Sequence, residues 1–181
     1  EMEIRATALA LPGAGKVTLL DYPQVQAKLP SDAIAVEFLR YGGELAGTNQ
    51  VQDCYGAALI CPGRGVQWLE LGLARDIDSL IYRYHDFVRR SEATAPRESD
   101  FVQLWHEVSE KIWRPVERAL PRETRTVILC PDSQLHLLSF AGLESAGVFA
   151  AERYRIEIRT GSRTLFTKPL EHDVQRGVSV W

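Results

Sequence analysis

The sequence predicts an α/β fold, a three-layer sandwich built around a mixed central sheet. Three observations lead there. Ala33–Leu39, Tyr55–Cys61 and Thr126–Cys130 are short apolar runs with the length and composition of buried strands. Two long stretches between the second and third runs repeat apolar residues at helical spacing. The resulting order, strands, then helices, then a buried strand, is βαβ-like and gives a sheet with helices packed over it.

Composition agrees with a packed domain. The chain has 181 residues, 45% hydrophobic and 25% charged, enough for one domain or one lobe of a larger one and unlike a disordered chain. A net charge of −3 argues against broad nucleic-acid or membrane-surface binding, which needs a basic field. No apolar run approaches the roughly 20 residues of a transmembrane helix. No basic segment followed by an apolar stretch opens the chain, so secretion is not signalled. Cys54, Cys61 and Cys130 are odd in number, scattered and without a CxxC pair, which fits a reducing, cytoplasmic compartment. His85, His106, His136 and His172 lack metal-ligand spacing. No metal or cofactor is expected.

Residues 1–20 are small and apolar without a clear period, and read as a leading segment or linker ahead of a domain over 21–181. Within them, Pro12–Val17 imitates a phosphate loop but fails its spacing. The first glycine would fall at Ala10, and Val17 stands where a Ser or Thr must bind magnesium. A turn is predicted instead. Asp21-Tyr22-Pro23 opens a short helix that runs to about Leu29 and is stopped by Pro30. The strand Ala33–Leu39 follows, and then a glycine-rich loop or hairpin connection over Gly42–Asp53.

Tyr55–Cys61 and Val66–Leu71, joined by Pro62-Gly63-Arg64-Gly65, read as a hairpin closed by Gly72. Ile77, Leu80, Ile81, Tyr84, Phe87 and Val88 mark the first amphipathic helix. A polar linker, Glu92–Glu98, separates it from the second, which starts at the cap-like Ser99-Asp100. That helix carries Phe101, Leu104, Trp105, Val108, Ile112, Val116 and Leu120 on one stripe. Pro115 is expected to kink or break it, because proline lacks the backbone donor. After the strand Thr126–Cys130 come a turn at Pro131-Asp132-Ser133, a short strand over Leu135–Leu138, a loop, and a half-exposed strand over Tyr154–Arg159. Val178–Trp181 reads as the start of another strand, an odd place for a natural terminus.

In this order the segments resemble the front half of a CHAT domain, the caspase-like family of cysteine peptidases. The resemblance rests on Val25–Pro30, Ala35–Phe38, Tyr55-Gly56-Ala57, Glu70-Leu71-Gly72, Ile77-Asp78, Val127–Leu135 and Leu138–Leu143, and covers the chain from about Leu20 onward. Ser133 stands where the family has a turn glycine and Ser139 where it has a proline. The resemblance implies a caspase-like fold and, in active members, a Cys–His dyad in which imidazole takes the thiol proton and thiolate attacks the scissile carbonyl. The family places that pair on later strands than those present here. The expectation is therefore a pseudo-caspase-like lobe, truncated before the catalytic His/Cys region, with no catalytic, cofactor-binding or metal residue of its own. Its implied partners are the catalytic lobe, an attached or separate sensor domain and a protein substrate, with no direct nucleic acid or membrane. Some members act as proteases in bacterial defence. The alternative is a catalytically inactive interaction scaffold with the same fold.

Cys130 and His136 are the best candidates for a dyad within the chain, since they flank a turn at the end of a buried strand. The bland reading makes Cys130 a small buried hydrophobe and points His136 outward. Cys61 reads as structural, and Cys54 as partly exposed at a loop-to-strand junction. His85 and His106 read as solvated or edge-of-core. Arg83, Arg89 and Arg90 form a small basic helix face, solvated or a dock for an acidic partner. Trp68, Trp105 and Trp113 read as packing residues. Trp113 falls just off the helical stripe, which leaves a partner-facing position open as a sharper hypothesis beside core packing.

Overall fold

The computed structural model describes residues 22–44, 51–91 and 98–162, with the side chains of 43, 44, 90, 91 and 98–100 left out. The leading segment with its glycine turn, the Asp21 cap, the centre of the polar linker and the strand expected at Val178–Trp181 lie outside the described residues. The elements are α1 (Tyr22–Lys28), β1 (Ala33–Glu44), β2 (Val51–Ile60), β3 (Gln67–Leu73), α2 (Ala74–Ser91), α3 (Glu98–Val108), α4 (Arg114–Ala119) and β4 (Thr126–Cys130). They continue with β5 (Glu144–Ser145), β6 (Val148–Phe149), α5 (Ala150–Arg153) and β7 (Arg155–Ile158).

Five strands form one mixed sheet in the order β3-β2-β1-β4-β7. The hairpin strands β1, β2 and β3 pair antiparallel, whereas β4 lies parallel to β1 and β7 parallel to β4. This is the α/β fold with a mixed central sheet that the sequence predicts. Side chains alternate across the sheet, which separates two clusters. Ile34, Val36, Phe38, Tyr55, Ala57, Leu59, Val127 and Leu129 pack with Ile77 and Ile81 of α2 and with Trp105, Val108 and Val116 of the later helices. Ala33, Ala35, Ile60 and Ile128 pack with Val25 of α1 and with Leu29 just after it.

Three expectations need correction. β1 and β2 reach into the stretch read as a connection, because Gly42↔Asp53, Gly43↔Gln52 and Glu44↔Val51 continue the ladder. Cys54 therefore sits inside a strand. Leu135–Leu138 is not a strand. Ser133 takes φ 51, which turns the chain into a 3₁₀-helix over Ser133–Leu137, with Leu135 N bonded to Asp132 O at 3.1 Å. The loop after Leu143 holds the small β5–β6 hairpin, whose central residues Ala146 and Gly147 both have positive φ, as a tight hairpin turn requires.

Trp113 is fully buried, in line with its reading as a packing residue and against the partner-facing hypothesis. Pro115 has no N–H and its ring would strike the carbonyl four residues back. Between α3 and α4 the helix accommodates it with a π-helical turn, Ser109–Trp113, where Arg114 N–H reaches back to Ser109 O. One extra residue in that turn shifts the helical phase. In a regular α-helix Trp113, five residues past Val108, would leave the stripe. The wider turn puts Ile112 and Trp113 together on it, and Trp113 meets Tyr154 edge-on at 5.9 Å.

Candidate functional site

Parallel strands leave their carboxyl ends on one side of the sheet, the usual place for chemistry in open α/β sheets. Here β1 ends beside β4, and the segments that follow meet around Arg40. Arg40 shares the inward phase of Ile34, Val36 and Phe38, so its charge needs partners. Its guanidinium bonds Asp53 Oδ2 at 3.1–3.2 Å and Asp78 Oδ2 at 3.0 Å. Its backbone N–H donates to Asp132 Oδ2 at 2.8 Å. The hydrogen bonds it donates to Asp53 and the field of Asp78 hold the guanidinium above its ordinary pKa.

Tyr55 lies beneath. Its hydroxyl donates to Asp78 Oδ1 at 2.9 Å and accepts the Gln134 N–H at 3.3 Å, and Arg40 lies 5.9 Å from its ring centre. Burial first, and then the bond to Asp78, raise the Tyr55 pKa. The hub therefore ties β1, β2, α2 and the turn after β4 to one another. It is a positioning device: its carboxylates are engaged, and it presents no activated nucleophile. Trp105 Nε1, bonded to Gly142 O at 2.7 Å, and Ser109 Oγ, accepting Glu144 N–H at 3.0 Å, fix the following loops.

The tempting residues do not converge on this hub. Cys130 is only 3% exposed, and burial, followed by the Glu37 carboxylate, pushes its thiol up to about 12. A reactive thiol needs the opposite environment. His136 is exposed on the 3₁₀-helix. Cys61 is buried, with its pKa raised by desolvation. Cys54 is half-buried and its thiol faces Gln52 O. His85 is exposed, and His106 meets Glu144 Oε1 at 3.2 Å. Arg83 pairs with Glu107 at 3.3 Å beside a groove of about 440 Å³ between α2 and α3, while Arg89 is exposed. Trp105 is core, whereas Trp68 stays 37% exposed on β3.

Arg40 and Asp53 escaped the sequence reading. The available signal was phase: a charge in step with Val36 and Phe38, and another in step with Ala57 and Leu59, demand each other. Among the described residues, no group of three or more His, Cys, Asp or Glu side chains could hold a metal ion, and no helix is long and apolar enough to cross a membrane.

Fold and hub together define the class as an α/β chain with a five-stranded mixed sheet tied at its carboxyl end by an arginine–aspartate network. No family model, curated protein or solved structure matches the chain.

Proposed function

We propose that this chain is the non-catalytic front lobe of a CHAT-type, caspase-like cysteine endopeptidase, arranged as a three-layer sandwich. It supports a Cys–His lobe and couples that lobe to a sensor or partner domain, with bacterial defence as the setting. The observation that carries the reading is the hub. Tyr55, Asp78, Asp132 and Gln134, all within segments that carry the resemblance, share one hydrogen-bond network although up to 79 positions separate them. Positions that resemble a family for a shared structural reason should meet in this way. Ser133 adds support: it adopts φ 51, a conformation that favours the glycine the family has there. The deeply buried, high-pKa Cys130 is consistent with chemistry supplied by another lobe.

The test is cleavage of a random peptide library by this chain alone and by this chain joined to a lobe carrying the Cys and His. Cleavage only by the joined protein, abolished when the added cysteine is replaced, is the expected result. Cleavage by the chain alone would overturn the proposal and make Cys130 the first residue to mutate. Silence from both would favour the interaction scaffold.

A further inference from the structure

The face of the sheet away from α2 is only partly covered. α1 takes one end of it, over Ala35, Ile60 and Ile128. By alternation Glu37, Leu39 and Tyr41 continue that face along β1, and the register brings Gly56, Trp68 and Glu70 onto it from β2 and β3. Gly56 sets the local shape. A Cβ there would collide with the Trp68 indole, so only glycine lets the ring settle this close to the sheet. Settled there, Trp68 meets Tyr41 with ring centres 5.3 Å apart and planes at 69°. The two rings make a corner rather than a stack. Tyr41 is half-buried in it, and Trp68 stays 37% exposed.

Aromatic faces are electron-rich, and the charges beside this corner are negative as well. Glu70 is exposed two residues beyond Trp68 on the same face. Burial first, and then the Glu70 carboxylate, raise the Tyr41 pKa, so that carboxylate is near enough to act on the ring. Glu37 shares a cross-strand row with Trp68 through Ala58, and gives one oxygen to the Ser162 N–H at 2.8 Å. The cations of this face, Arg155 and Arg159, stand at the opposite edge of the sheet, where Glu157 holds them. Among the described residues no cation pairs with Glu70. Two ring faces beside a free carboxylate complement an organic cation. A methylated ammonium suits them best, because its methyl groups spread the charge and leave water readily for an aromatic face. Leu39, 37% exposed in the row of Gly56 and Glu70, adds apolar surface for those methyls.

We propose that Tyr41, Trp68 and Glu70 form a binding site for a methylated ammonium group, the rings taking its methyl groups and Glu70 its charge. The inference stands independently of the peptidase reading.

The experiment follows the indole N–H resonances of the isotope-labelled full chain by NMR. The ligands are choline and its neutral isostere, in which a quaternary carbon replaces the nitrogen. Trp68→Phe identifies the Trp68 signal by its loss. Choline should shift that signal saturably, and the neutral isostere should bind at least about fivefold more weakly. Trp105 and Trp113 belong to the cluster on the other face of the sheet, and their signals should stay in place. Glu70→Gln, a change at an exposed position, should weaken choline about threefold. Gly56→Ala, which lifts the indole, should weaken it too. Should Gly56→Ala fail to fold, the isostere and Glu70→Gln still decide. A peptide carrying trimethyllysine, titrated in parallel, separates the sources: the tighter binder shows whether the ammonium arrives free or on a protein. Equal affinity for choline and its isostere would make the corner a mere apolar patch and overturn the proposal. So would a Trp68 signal that does not saturate, a shift that sodium chloride reproduces, or an affinity that Glu70→Gln leaves unchanged.

Discussion

Gly56 offers a sharp test of how the hairpin packs. It is buried in β2 beneath the indole of Trp68, and a Cβ built on it would stand 2.9 Å or less from three ring atoms. Carbon atoms settle at about 3.5–4.0 Å, so in Gly56→Ala the ring must retreat by about 1 Å or more. Retreat loosens its edge contact with Tyr41, of a kind worth about 0.5–1.5 kcal/mol. Overpacking of this kind costs about 1–3 kcal/mol in total. The backbone itself favours the change, since glycine inside a strand is about 0.5–1 kcal/mol worse than alanine.

Those two effects separate in a double-mutant cycle. With a urea m-value of about 2 kcal/mol/M, Gly56→Ala should lower the unfolding midpoint by about 0.5–1.5 M. Trp68→Ala removes the obstacle, so adding Gly56→Ala to it should be neutral or slightly stabilising. The reasoning is refuted if Gly56→Ala costs the same in both backgrounds, or costs nothing in the first.

Other outcomes follow from the hub and the buried groups. Tyr55→Phe leaves Gln134 N–H without its acceptor and Asp78 without one donor, and should cost about 1–3 kcal/mol in urea unfolding. Ser133→Gly should stabilise by about 0.5–1 kcal/mol, because relief of a left-handed residue outweighs the added chain entropy. Trp113→Ala should cost about 3–5 kcal/mol. Trp113→Phe should cost far less than Trp113→Ala, because the indole Nε1–H it removes has no hydrogen-bond partner. The Cys130 thiol is held protonated in the folded chain, so its contribution to stability is present below the ordinary thiol value of 9.0 and is lost as pH rises toward about 12. Raised tyrosines add to the same alkaline descent, and Cys130→Ala should make it measurably shallower in pH-dependent unfolding.

Most of the sheet was legible because burial writes itself into strands as uninterrupted apolar runs. Ala33–Leu39, Tyr55–Cys61 and Thr126–Cys130 needed no partner to be recognised, and their cores lie in β1, β2 and β4. What failed were inferences that assumed a constant period. By α-helical phase Trp113 falls off the stripe, and a single π turn before Pro115 puts it in the core. Leu135–Leu138 was assigned by apolar alternation, which one positive φ at Ser133 cancelled. In both cases the deciding residue was visible, but its effect depended on whether the backbone broke, kinked or widened, which tertiary packing selects.

The hub was illegible for a different reason. Arg40, Asp53, Asp78 and Asp132 lie on β1, β2, α2 and the turn after β4, and the register Gly42↔Asp53, the parallel pairing of β1 with β4 and the packing of α2 on the sheet bring them together. Each charge alone resembles a solvated surface group. What distinguishes them is that Arg40 and Asp53 keep step with core residues of their own strands. A charged residue on the inward phase predicts an opposite charge reaching it from a neighbouring element. Applied to β7 the rule gives a contrast: Arg155, Glu157 and Arg159 share the opposite phase from Ile156 and pair among themselves, so they ask nothing of another element. Phase, rather than charge alone, therefore identifies Arg40 and Asp53 as the residues that tie one element to the next.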